Sequence, residues 1–149
     1  MTVDCVGALA IALVAAMMRH QDTAASEVMP PAAYEVLTET VMPHLEENLR
    51  YANTRETRCV GREPLATGFP ILKHPSLVDC RLTDETRHEE TVSYVLACDG
   101  GHGTTGTATW VMGSGGLHGT LNVRLGGKNM TFYQRVTATS LGPCAAGHP

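Results

Sequence analysis

The feature that most constrains the fold is a predicted β-hairpin that spans residues 78–103 and carries a cysteine on each strand. Apolar and polar residues alternate along its second strand, and a polar run precedes that strand, as is typical of two strands joined by a turn. A turn centred on Glu89 predicts four opposed pairs: Cys80–Cys98, Leu82–Leu96, Asp84–Tyr94 and Thr86–Val92. Directly opposed residues of an antiparallel pair lie close enough for a disulfide, so the hairpin predicts a Cys80–Cys98 bridge.

The N-terminal segment predicts export. Residues 6–18 are almost wholly apolar, a length that suits the core of a signal peptide better than a membrane span of roughly 20 residues. Small residues just before Ser26 offer a cleavage point, although the first residues contain Asp4 and no Lys or Arg. We therefore expect residues 1–25 to form an apolar helix that is either a signal peptide or a short uncleaved anchor. A single domain over residues 26–149, periplasmic or secreted, would follow it.

The remaining cysteines predict a second bridge. Four cysteines follow the N-terminal segment: Cys59, Cys80, Cys98 and Cys144. An even number in a small exported protein indicates disulfides, and four cysteines allow three connectivities. The hairpin register selects one of them, in which Cys59 pairs with Cys144 and ties an early strand to the C-terminal tail. The alternative is that the two hairpin cysteines are buried free thiols.

Alternation of apolar and polar residues predicts an all-β fold. Strands are expected at residues 34–42 and 49–60, in the two arms of the hairpin, and at residues 104–112, 117–125 and 130–139. Glycine-rich turns separate the last three strands. The three prolines of residues 61–77 indicate a long connection that caps one end of the sheet. We expect a single antiparallel meander of about seven strands that either curls over or closes into a lipocalin-like barrel.

Composition excludes one class of partner. The chain has 149 residues, of which 17% are charged, and a net charge of −4. This length suits one domain, and the charge does not attract a phosphate backbone. We therefore expect no nucleic-acid binding.

Catalytic and metal sites find little support in the sequence. His102 lies in a glycine-rich turn close to Asp99, so a hydrolase using these two residues is one hypothesis; a solvated loop histidine explains the pattern equally well. The cysteine spacings do not match a zinc site, the other histidines are scattered, and no nucleophile elbow or phosphate-binding loop is present. We expect no catalytic residues, no metal and no cofactor.

A ligand cavity is the other candidate site. If the sheet closes as a barrel, a set of large side chains would line its interior: Tyr94, Trp110, Leu121, Met130, Phe132 and Tyr133. The alternative is that these residues simply form the core, because aromatic residues are only 5% of the chain.

Several short motifs carry a resemblance to a known family. In chain order they are Tyr34-Glu35-Val36, Met42-Pro43, Arg58-Cys59, Asp79-Cys80, Tyr94-Val95-Leu96-Ala97-Cys98-Asp99-Gly100-Gly101, Thr105-Gly106-Thr107-Ala108-Thr109-Trp110, His118-Gly119-Thr120-Leu121 and Leu141-Gly142-Pro143-Cys144. In this order, and with four cysteines, the chain resembles a family of small secreted proteobacterial proteins known only as a domain of unknown function. The resemblance covers most of residues 34–144. It implies an exported, disulfide-bonded β domain with no assigned catalytic residues.

Three functions are compatible with these observations. The leading expectation is an exported non-catalytic β protein that binds a small apolar ligand or an envelope partner. The first alternative is an accessory or structural subunit of a membrane protein complex, held by residues 6–18. The second is a periplasmic hydrolase that uses His102 with Asp99.

Overall fold

One seven-stranded antiparallel sheet makes up the structure, a computed structural model that describes residues 29–43, 51–100, 103–126 and 130–144. The strands are β1 Ala32–Val41, β2 Tyr51–Val60, β3 Cys80–His88, β4 Thr91–Cys98, β5 Thr105–Gly113, β6 Gly116–Leu125 and β7 Met130–Gly142. The predicted all-β class and the number of strands are confirmed. The predicted N-terminal helix and cleavage point lie outside the described residues.

The strand order is that of an up-and-down barrel that has been opened at one place. Across the sheet the order is β2-β1-β7-β6-β5-β4-β3, so every consecutive pair is adjacent except β2 and β3, and β7 pairs with β1. The sheet is not closed, which excludes the lipocalin-like barrel. The prediction of a simple meander, in which each strand lies beside the next one in the chain, is also wrong. β1 lies between β2 and β7, and β2 does not pair with β3.

The direction of the two edge strands explains the opening. Six antiparallel pairings separate β2 from β3, so these two strands run in the same direction. Parallel strands cannot be joined by a hairpin and need a connection that returns along the length of the sheet. Residues 61–79, which we call the crossover, make that connection.

The crossover covers one face of the sheet. It contains three short 3₁₀-helices, Leu65–Thr67, Pro70–Lys73 and Pro75–Leu77. Two of them begin at a proline, whose missing N–H and fixed φ suit a first helical position. Leu65, Phe69 and Leu77 are at most 3% exposed and belong to the same core as the strands. The expectation that this segment caps one end of the sheet is therefore wrong.

Alternation along the strands decides which face the crossover covers. The covered face, which we call the inner face, carries most of the buried apolar side chains of the strands: Tyr34, Val36, Val60, Val92, Tyr94, Leu96, Ala108, Trp110, Leu117, Leu121, Val123, Phe132, Val136 and Ala138. The ring centroids of Phe69 and Trp110 are 4.8 Å apart, so the crossover reaches the middle of the sheet. The other face carries mainly threonine and charged residues.

Two of the four residue pairs predicted for the β3–β4 hairpin are confirmed. Cys80 pairs with Cys98 and Leu82 with Leu96, but the ladder shifts between Thr83 and Thr86. Beyond the shift Thr86 pairs with Ser93, so the predicted pairs Asp84–Tyr94 and Thr86–Val92 are wrong.

A turn of even length causes the shift. His88 pairs with Thr91, which leaves Glu89 and Glu90 as a two-residue turn instead of a turn centred on Glu89. A two-residue turn moves the pairing at the tip by one residue, and a bulge at Asp84 and Glu85 absorbs the difference. Asp84 has a φ of 53°, which aspartate tolerates better than most residues.

Two disulfides hold the ends of the crossover. Cys80 is bonded to Cys98 and Cys59 to Cys144, the pairing that the sequence predicts. Cys59 lies just before the crossover at the end of β2, and Cys80 lies just after it at the start of β3. Because β2 and β3 are parallel, the two bridges lie at opposite ends of the sheet as well as on opposite edges.

Loss of the bridge between Cys59 and Cys144 should destabilise the fold. It closes a loop with a sequence separation of 85 residues, for which the chain-entropy model gives about 4 to 5 kcal/mol. We expect the double variant Cys59→Ser/Cys144→Ser to lose free energy of unfolding of this order, measured by urea titration without reductant. In that variant dithiothreitol should lower stability further, since Cys80–Cys98 remains. An unchanged free energy in the double variant would contradict this assignment.

Candidate functional site

The crossover leaves part of the inner face open near β2. A groove of about 420 Å³ lies there between the crossover and strands β1, β2 and β7, and we call it the crossover groove. The strands contribute Thr38, Thr40, Ala52, Thr54 and Gln134. The crossover contributes Pro70, Ile71, Lys73, His74 and Pro75.

A buried glutamine fixes the floor of this groove. Gln134 on β7 is 2% exposed, and both ends of its amide are bonded. Its Oε1 accepts the Ile71 N–H at 3.2 Å, and its Nε2 donates to Thr40 Oγ1 at 2.8 Å. The first bond ties the crossover to β7, and the second leaves the Thr40 hydroxyl hydrogen able to donate to a bound molecule.

The crossover side of the groove carries its positive charge. Lys73 is exposed and lies in the last turn of its 3₁₀-helix, where a cation is favoured. His74 Nδ1 accepts the Ser76 N–H at 3.2 Å and so caps the next helix. No carboxylate is among the described residues that line the groove. The arrangement can bind an apolar group beside hydroxyls and an ammonium.

The predicted pocket residues lie mainly in the core instead. Tyr94, Trp110, Leu121 and Phe132 are 4%, 0%, 0% and 7% exposed and belong to one cluster. Met130 is half-buried at the start of β7. Phe69 packs on Trp110, so the crossover occupies the side of the sheet where a barrel would enclose its cavity.

The sixth predicted residue points away from that core. Tyr133 pairs with Asn122 and Val41, and its ring lies 5.1 Å below the Arg135 guanidinium carbon. Together with Phe132, which is another of the predicted residues, three threonines, Asn122 and Arg124, it lines a second groove of about 420 Å³ along β5, β6 and β7. That groove has strands as its walls, whereas the crossover groove is also bounded by a second layer of chain.

Two buried phenols are neutral donors. The Tyr94 hydroxyl donates to Glu85 Oε2 at 2.9 Å, and burial together with that bond raises the pKa of Tyr94. The Tyr34 hydroxyl donates to the Pro30 carbonyl at 3.0 Å, and burial raises its pKa. Both side chains therefore stay protonated at neutral pH and hold their neighbours in place. The bulge in β3 is what brings Glu85 to Tyr94.

Of the two residues in the hydrolase hypothesis, Asp99 belongs to the described part of the chain. His102 lies outside the described residues. Asp99 is exposed, and its carboxylate accepts a hydrogen bond from the Arg81 guanidinium, which raises the pKa of Arg81. In the described segments, His, Cys, Asp and Glu form no group of three or more that could hold a metal ion. The same segments contain no helix long and apolar enough to cross a membrane.

Comparison with protein-family models, curated proteins and solved structures finds no match to this chain. The resemblance to a domain of unknown function therefore stays a prediction, and the site has to be interpreted from its own geometry.

Sequence patterns contained one signal for the crossover groove. The strand over residues 34–42 places Thr38 and Thr40 on the same face as Tyr34 and Val36. Hydroxyls on an otherwise apolar face mark the place where the inner face is open. The contributions of Ile71 and Lys73 carry no such signal, because they depend on the path of an irregular segment.

Replacing Gln134 by leucine should destabilise the protein. The variant leaves the Ile71 N–H and the Thr40 hydroxyl without their partner, and an unsatisfied buried polar group costs about 1 to 3 kcal/mol. Asn122→Leu is the matched control, since Asn122 is exposed on the outer face and should change stability by less than about 0.5 kcal/mol. Equal thermal or urea stability of the two variants would show that the Gln134 bonds do not hold the crossover.

Proposed function

We propose that this protein is an exported, non-catalytic binding protein that holds a small ligand with an apolar body and an anionic end in the crossover groove. The observation that carries the proposal is the groove itself, which combines Ile71, Ala52 and two prolines with the Lys73 ammonium. Its volume of about 420 Å³ falls in the range of small-molecule sites, roughly 300 to 1,000 Å³.

Charge favours an anionic end over a cationic one. The described lining contains one lysine and no carboxylate, and the hydroxyls of Thr38, Thr40 and Thr54 can donate to an anion. A small lipid-like acid or an aromatic acid has this chemistry. The apolar body would lie along Ile71 and the prolines, with the anion directed to Lys73.

Export is supported by the disulfides. Two bridges in one small domain fit an oxidising compartment, such as the periplasm or the exterior of the cell. The alternative of an accessory subunit held in a membrane complex depends on residues 6–18, which lie outside the described residues, and it stays a prediction.

Filling the groove from β2 should weaken binding of an amphipathic anion. Ala52 lines the groove, whereas the neighbouring Asn53 lies on the other face of the same strand. With anilinonaphthalene sulfonate as the fluorescent probe, we expect saturable binding by the native protein and at least tenfold weaker binding by Ala52→Trp. Asn53→Trp is the control and should bind the probe as the native protein does.

A charge reversal tests the anionic end separately. Lys73→Glu should weaken probe binding about tenfold, and the loss should shrink at high salt because screening weakens the native interaction.

Equal binding by Ala52→Trp and Asn53→Trp would place the ligand elsewhere and contradict the proposal.

A further inference from the structure

The two edges of the sheet differ in whether another strand can be added. β3 is interrupted by the bulge at Asp84 and Glu85, a device that blunts sheet edges. β2 pairs with β1 over ten successive residues without a register shift, and it has no strand on its other side within the described part of the chain. Residues 52–57 of β2 are all exposed. β2 is therefore a long, regular edge with backbone groups available for pairing.

We infer that β2 pairs with β2 of a second copy of this chain, antiparallel and centred on Thr57, so that Glu56 of each copy lies opposite Arg58 of the other. The two sheets then form one continuous sheet through a two-fold axis. This interface is independent of the ligand proposed for the crossover groove.

Charge selects this register from the alternatives. Opposed residues of two antiparallel strands lie on the same face, so a two-fold axis must place one residue of β2 opposite itself. Registers centred on Arg55, Glu56 or Arg58 place like charges face to face, which is unfavourable.

Registers centred on an uncharged residue differ in the charge pairs that they form. A register centred on Thr54 places Arg55 opposite Asn53 and Glu56 opposite Ala52, with no charge pairing. The register centred on Thr57 brings two opposite-charge pairs together within residues 55–59, and the next pair outward, Thr54 with Val60, is not formed because Val60 is 1% exposed in the single chain. Its charge complementarity is the reason for choosing a second copy as the occupant.

The side chains of the single chain fit this arrangement. Glu56 and Arg58 lie opposite Val36 and Tyr34, so both belong to the inner face. Arg58 Nε is 3.9 Å from Glu56 Oε1 of its own chain, too far for a hydrogen bond, and it is buried without any hydrogen-bond partner. A carboxylate from the opposed strand would supply the missing acceptor.

The third charged side chain of the edge is already engaged. Arg55 lies on the outer face, where its Nη1 is 3.7 Å from Glu35 Oε1 on β1. In the Thr57 register it lies opposite Cys59 of the second copy and meets no charge. Ala52 and Thr54 lie outside residues 55–59, so pairing leaves the β2 wall of the crossover groove uncovered.

Reciprocal charge reversal provides a sharp test. Five paired residues form a small interface, so we expect a reversible dimer whose population rises with concentration, measured by sedimentation equilibrium on the full chain. Glu56→Arg and Arg58→Glu should each raise the dimer dissociation constant about tenfold or more, because each places like charges opposite each other. An equimolar mixture of the two variants should form a heterodimer about as readily as the native chain forms its dimer.

The mixture separates an interface from a folding defect. A misfolded variant would not regain association when mixed, and native mass spectrometry distinguishes the heterodimer by mass from either homodimer. Arg55→Glu is the control and should dimerise as the native chain does. A native chain that stays monomeric over the whole concentration series, or a mixture that forms no heterodimer, would overturn the inference. Neither result would affect probe binding in the crossover groove.

Discussion

The parallel direction of the two edge strands is the constraint on which the rest of this structure depends. Six antiparallel pairings separate β2 from β3, so no hairpin can join them and the chain has to return along the sheet. That return covers the inner face. The apolar residues of the sheet are buried by the crossover, and the sheet does not need to close into a barrel. The missing pairing between β2 and β3 and the covering of the core therefore have the same cause, which is the parallel direction of these two strands.

Several interactions fix the crossover in place. A disulfide holds each end, Phe69 packs on Trp110, and the Ile71 N–H bonds to Gln134. The Trp110 ring lies between two glycines, and a Cβ would lie 2.5 Å from it at Gly68 and 2.8 Å from it at Gly119. Both positions therefore require glycine, because any side chain there would collide with the ring. The crossover groove is the part of the inner face that this packing leaves open.

Local sequence patterns predicted much of the fold. Most of the features that they did not predict depend on pairing between residues that are far apart in the sequence. Alternation along residues 34–42 and 117–125 gave the correct strands and faces, and the hairpin register gave the Cys80–Cys98 bridge. The tip of that hairpin was wrong, because a bulge at Asp84 compensates for an even turn without a clear signal in composition. The pairing of β1 with β7 and the path of residues 61–79 depend on partners distant in sequence. The groove residues Ile71 and Lys73 were missed for that reason.

Function in this account follows from the crossover. It fills the space that a barrel would offer a ligand, and it builds a smaller groove beside β2 with one lysine. The most direct test is hydrogen exchange at the Ile71 amide, which donates to the buried Gln134 side chain. If the crossover is bonded to the sheet, this amide exchanges as slowly as the core amides of β5 and β6. Exchange at the rate of an exposed loop would contradict the account.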